Sequence, residues 1–157
     1  MFSCHQLREL IVKPCLEGLH CWSQPFEDLI IGTFAHESRF GDYIEQIKGP
    51  ALGFWEMEPA TYNDLQNYLV KLPETMCRIV NVCQITIPHK ELMVYNIRFA
   101  CCMSIVKYME AGIFTRKYNM DSLNNLAIIY KTLYNSSLGK GTEQEFIDNY
   151  KTFCGIK

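Results

Sequence analysis

The feature that most constrains this chain is the contrast between residues 41–60 and everything around them. Gly41, Gly49, Pro50, Gly53 and Pro59 crowd into that stretch, which breaks helices and forces a loop. On either side, apolar residues recur at helical spacing. Just before the loop, Ile30, Phe34 and Glu37 stand at i, i+4 and i+7 of a helix predicted over Gln24–Ser38, with Ser23 capping it and Pro25 in its first turn. Glu37 therefore lies on or beside the apolar stripe, not on the solvated face. Gly41-Asp42 ends that helix.

The remaining punctuation predicts more helices. Gln6–Lys13 is amphipathic and is ended or bent by Pro14. Thr61 caps a helix over Tyr62–Leu72, which Pro73 closes, and Glu74–Val82 follows. Gln84-Ile85-Thr86-Ile87 alternates briefly but runs into Pro88, so it reads as a linker. Lys90–Tyr108 has the spacing of a long central helix, and Asp121 caps another through Tyr134. Thr142-Glu143-Gln144-Glu145 is a capping box opening a last helix to about Phe153. The loop leaves room for a small hairpin near residues 43–57, pairing Tyr43–Ile47 with Phe54–Met57. The expectation is a single, mostly α domain over 1–157, with no repeats or linkers.

The chain has 157 residues and a formal net charge of −2. That near-neutral balance offers no basic field for nucleic acid and no polybasic anchor for a membrane. No apolar run approaches the ~20 residues that span a bilayer. The first ten residues lack the apolar core of an export signal, so synthesis and retention in a cytoplasm are expected. Eight cysteines are then expected as reduced, buried small hydrophobes. No C-x-x-C occurs, and Cys15, His20 and Cys21 lack metal-site spacing. No metal and no cofactor is expected.

Glu37 is the candidate for chemistry. A glutamate beside apolar side chains at the negative end of a helix has its neutral form favoured. A carboxylic acid still protonated near neutral pH is what glycosidic-bond cleavage requires. The competing reading is an ion-paired structural carboxylate, with Arg39 or Lys48 as partner. His36 points about 100° away on the helix and is set aside. Gly139-Lys140-Gly141-Thr142 lacks Walker spacing and does not follow a strand, so it is no phosphate loop.

Glu37-Ser38 followed by Gly53-Phe54-Trp55-Glu56-Met57-Glu58-Pro59-Ala60-Thr61 resembles the lysozyme-like lytic transglycosylases. In that family a Glu-Ser pair ends a helix, and a Gly-Leu-Met-Gln turn runs into a Pro-x-Thr helix start. Gln46-Ile47-Lys48-Gly49-Pro50-Ala51-Leu52-Gly53, Tyr134-Asn135 and Gly139–Thr142 are similar to stretches of phage-type, endolysin-like muramidases. The resemblance covers about 30 central residues and about ten near the end. It implies a goose-type lysozyme or soluble lytic transglycosylase-like fold. The implied reaction is cleavage of the β-1,4 bond between N-acetylmuramic acid and N-acetylglucosamine.

By the same resemblance Glu37 is the acid and then the base. Ser38 orients it or binds the sugar's acyl group, and Gly53, Phe54 and Trp55 form a groove wall. Tyr134 hydrogen-bonds near Glu37, with Asn135 fixing the local turn. Glu56 departs from the family's Gln: as a second carboxylate in the groove it favours hydrolysis, and as a solvated or Lys48-paired residue it does nothing. Trp55 stacks on a sugar if exposed and plugs the core if not. The implied partner is the peptidoglycan glycan strand, met by a monomer. The implied setting is a host bacterial cytoplasm until release to the periplasm and wall, or a phage virion. The alternative is an inactive lysozyme-like module that binds glycan or serves a structural role.

Overall fold

The computed structural model describes residues 2–135 and 139–156, and these are mostly helical, with no strand among them. The N-terminal helix runs unbroken through three segments, Cys4–Leu7, Arg8–Val12 and Lys13–Gly18, the middle one π-helical. Pro14 does not end it, one of the two outcomes expected of that residue. Proline has no N–H to give four residues back, and the turn before it widens so that Lys13 N–H donates to Arg8 C=O instead.

The Gln24–Glu37 helix starts where expected. Ser23 Oγ accepts from Phe26 N at 3.3 Å, and Pro25 sits in the first turn. Nine of its residues from Phe26 to Ala35 are buried, so it is wrapped on nearly every side and not merely amphipathic. Its closest packing is against the C-terminal helix Glu143–Cys154, where a Cβ on Gly32 would strike the ring of Phe146. The C-terminal helix opens on the anticipated capping box, Thr142 with Glu145.

Several boundaries moved. Pro59–Leu69 starts at its proline, leaving Thr61 inside the helix, because proline with its fixed φ and missing N–H suits a first turn better than threonine needs to cap one. Pro73–Cys83 follows and ends at Gln84 in the left-handed region. The predicted long helix is split: Leu92–Tyr95 stops at Asn96, whose side chain accepts from Phe99 N at 3.0 Å and starts Ile97–Glu110 afresh. Ser122, not Asp121, caps Leu123–Tyr130, which continues as a π-turn over Lys131–Asn135.

The expected hairpin is smaller and paired differently. Leu52 is the hub, bridged to Glu45 on one side and to Met57 on the other. Leu52 N donates to Met57 C=O at 2.9 Å, and Met57 N returns a bond at 3.0 Å. The left-handed Gly53 (φ 74°) makes this turn, and a Cβ there would sit 2.6 Å from Met93 C=O, so both its conformation and its packing demand glycine.

One cysteine pair departs from the expectation of free thiols. Cys4 and Cys154 are joined as a disulfide with Cα atoms 5.3 Å apart, tying the first helix to the last. Cys15, Cys83, Cys101 and Cys102 are free and buried, as small hydrophobes. None of the helices described is long and apolar enough to cross a membrane.

Candidate functional site

Glu37 is the last residue of its helix, and the chain reverses directly beyond it. Ser38 Oγ donates to Phe34 C=O at 2.7 Å and accepts from Gly41 N at 2.8 Å. Arg39 and Phe40 both adopt positive φ. Two left-handed residues in succession are costly outside glycine, and the Ser38 bonds hold them. The reversal leaves the Glu37 side chain on the wall of an open cleft of about 1160 Å³.

Burial pushes the Glu37 carboxyl up to about 7, since a charge half withdrawn from water is disfavoured. Tyr130 and Lys107 pull it back down, while the field of Glu56 pushes it further up. Tyr130 Oη donates to Glu37 Oε1 at 2.6 Å. The amide of Asn135 in turn donates to Tyr130 Oη at 3.1 Å, and Asn135 Oδ1 accepts from Lys131 Nζ at 2.7 Å. Lys131 also holds Gly139 C=O at 2.8 Å. Glu37 is thus fixed by a relay that begins in the loop after Asn135. Among the described residues no cation lies within ion-pair distance of Glu37 or Glu56, so neither Arg39 nor Lys48 neutralises them.

Four of the sequence-selected residues line the cleft together: Glu37, Glu56, Tyr134 and Asn135. Glu56 sits in the turn at φ 43°, and burial raises its carboxyl as well, with Arg39 opposing. The other four do not line it. Trp55 is only 1% exposed and donates from Nε1 to Ile30 C=O at 3.0 Å, so it is a core plug and offers no face to a sugar. Phe54 is 7% exposed and packs edge-on to Phe2 and tilted against Phe34. Gly53 shapes the turn behind the cleft, and Ser38 is fully buried with its hydroxyl engaged by backbone. Ser38 and Gly53 shape the turns that carry Glu37 and Glu56. The apolar bulk of Phe54 and Trp55 made the core their lower-energy destination.

Tyr134 is corrected too. Its hydroxyl donates to Trp55 C=O at 2.8 Å, and the phenol that reaches Glu37 is Tyr130. Residues 130 and 134 share one helix face, so spacing alone does not separate them.

Lys107 and His36 also line the cleft. Lys107 projects from Ile97–Glu110 with Nζ 3.7 Å from the centre of the Tyr134 ring, and burial lowers its pKa while Glu37 and Glu58 raise it. His36, set aside earlier, lines the cleft as well. Its Nδ1 accepts from the Asn149 amide at 3.0 Å, and burial lowers its pKa. No sequence signal marked Lys107, a cation in the mostly apolar second half of its helix. No family model, curated protein or solved structure matches the chain.

Proposed function

We propose that the chain cleaves the β-1,4 glycosidic bond between N-acetylmuramic acid and N-acetylglucosamine in peptidoglycan, with Glu37 as general acid and then general base. The observation that carries this reading is a carboxyl with no counter-ion among the described residues, pushed up to about 7 on the wall of an open cleft. Such a group is substantially protonated at neutral pH and can deliver that proton. The Tyr130 hydroxyl donates to Oε1, which leaves Oε2 to carry the acid proton.

In the first half of the reaction the bond from the muramoyl C1 to the bridging oxygen breaks, and Oε2 protonates the departing oxygen. Positive charge then develops at C1 and the ring oxygen, next to the newly formed Glu37 carboxylate. In the second half Glu37 takes a proton from water, giving a reducing end, or from the muramoyl 6-hydroxyl, giving a 1,6-anhydro ring. Either way the catalyst regains its starting state. Glu56 lines the same cleft, and a second carboxylate acting there on water would favour the hydrolytic branch.

The lysozyme-like family of this motif, a glycan-strand partner and action as a monomer belong to the same proposal. So does the setting, in which the chain is made in a bacterial cytoplasm and freed to the wall, or carried in a virion. The Cys4–Cys154 disulfide suits a protein that works on the oxidising side of the inner membrane.

The test is mass spectrometry of soluble muropeptides from purified sacculi, comparing the wild-type chain with Glu37→Gln. Anhydro-muramoyl ends from the wild type alone identify a lytic transglycosylase, and reducing muramoyl ends identify a hydrolase. No product from a folded wild-type chain overturns the reading in favour of a glycan-binding module.

A further inference from the structure

Among the described residues Lys107 has no acidic partner in contact, and it sits in the same cleft as Glu37. Its ammonium lies against the Tyr134 ring at 3.7 Å, a contact that covers one side of the charge. Among the described residues no carboxylate lies within ion-pair distance of Nζ, and no oxygen accepts a hydrogen bond from it. The acidic groups that influence it, Glu37 and Glu58, act through space. The other cations in the cleft wall differ. Arg39 and Lys140 are exposed, and Arg39 lies over Tyr43. Lys131, next to the cleft, donates to both Asn135 and Gly139.

A half-buried ammonium has up to three hydrogens to satisfy. Solvent entering an open cleft can supply the acceptors. A ligand that fills the cleft removes that water and leaves the charge costly unless it brings an acceptor of its own. A carboxylate meets that need best, because charge-assisted hydrogen bonds are roughly twice as strong as neutral ones. A neutral sugar hydroxyl does not compensate fully.

We infer that Lys107, seated on the Tyr134 ring, forms a carboxylate-binding subsite that selects acidic over neutral glycans beside Glu37. The inference rests on the glycan-cleaving reading above. Within that substrate class two groups carry the chemistry. The lactyl substituent of a muramoyl residue is a free carboxylate when no peptide is attached and a neutral amide when one is. Stem peptides carry carboxylates of their own. Lys107 is a specificity residue here and takes no part in proton transfer.

The test measures calorimetric binding in the Glu37→Gln background, where ligands are not consumed. Three tetrasaccharides are compared: neutral chitotetraose, a peptide-free alternating glucosaminyl–muramoyl chain, and the same chain bearing stem peptides. At least one acidic ligand is expected to bind tenfold or more tightly than chitotetraose. Adding Lys107→Met or Lys107→Gln should erase that preference, because the acidic ligand loses its partner and chitotetraose no longer strands a buried charge. Preference for the peptide-free ligand assigns the lactyl carboxylate, and preference for the peptide-bearing ligand assigns the stem. A preference that survives in both folded Lys107 variants, or one absent from the parent, overturns the subsite and leaves the glycan reading standing. Failure of all three ligands to bind overturns the glycan reading itself, and the subsite with it.

Discussion

Glu27 stands in the first turn of the Gln24–Glu37 helix and Glu37 is its last residue, and the two carboxylates have opposite surroundings. Glu27 is 1% exposed and is gripped on both oxygens, by Arg8 on one and by Trp22 Nε1 on the other. Arg8 also pairs with Asp28 at 2.7 Å, and Tyr150 Oη donates to the same Asp28 oxygen at 2.7 Å. That network joins the first helix, the Gln24–Glu37 helix and the last helix. It also lies at the helix end whose dipole welcomes negative charge. Among the described residues Glu37 has no cation in contact and one neutral phenol as donor, and it lies at the unfavourable end of the dipole. One helix thus holds a carboxylate that fastens the fold and a carboxylate left poised to exchange a proton. The contrast teaches that burial alone does not make a glutamate reactive. What matters is whether a counter-ion is buried with it.

The largest expected effect comes from removing the poised group. Glu37→Gln should lower glycan cleavage by a factor of about 10³ or more while leaving thermal stability equal or higher. The stability sign follows from proton counting. Between the ordinary glutamate value of 4.5 and about 7, the folded chain holds a proton on Glu37 that the unfolded chain has lost. Wild-type stability should therefore fall as pH rises through that window, at no more than about 1.4 kcal/mol per pH unit for one proton. In Glu37→Gln this component should vanish. A mutant that unfolds instead would make Glu37 a second fastener and erase the contrast.

At the other end of the helix the reverse is expected. Arg8→Met strands Glu27 as a buried unpaired charge, which costs about 3–5 kcal/mol, read as a lowered urea midpoint. Any product still made by the folded fraction should have unchanged chemistry. Tyr130→Phe is milder. It should slow cleavage about tenfold, and it should move the high-pH fall in rate upward, because a donor that stabilises the charged form is gone. Glu56→Gln should have the smallest effect, moving that fall downward by less than about one pH unit as a repelling neighbour is neutralised. A pH profile that ignores both substitutions would mean that some other group sets the limb.

Much of this was legible in the chain. Glu37 at a helix end, the Ser23 and Thr142 caps and the break at Gly41 are local events, and local chemistry decided them. What escaped was decided at a distance. Trp55 reads equally well as groove or core until Ile30 is found to offer it a carbonyl. Tyr130 and Tyr134 are equivalent by spacing, and only the placement of the loop turn against Glu37 and Trp55 separates them. Asn96 looked like one polar residue in a long helix because a cap and an interior position share the same sequence context. Lys107 and Glu27 needed partners, present or absent, that lie far along the chain. Cys4 and Cys154 are 150 positions apart, a separation over which no spacing rule operates.

That bond also makes the backbone between Cys4 and Cys154 a covalent ring. A protease that nicks any one peptide bond within it leaves a single molecule of unchanged mass, apart from one added water, until a reductant parts the pieces. On a gel, such a nicked chain would run as one band without thiol and as two with it. For a protein proposed to work among the debris of a breaking cell, the ring would hold the Glu37 helix and its covering C-terminal helix together after the first cut.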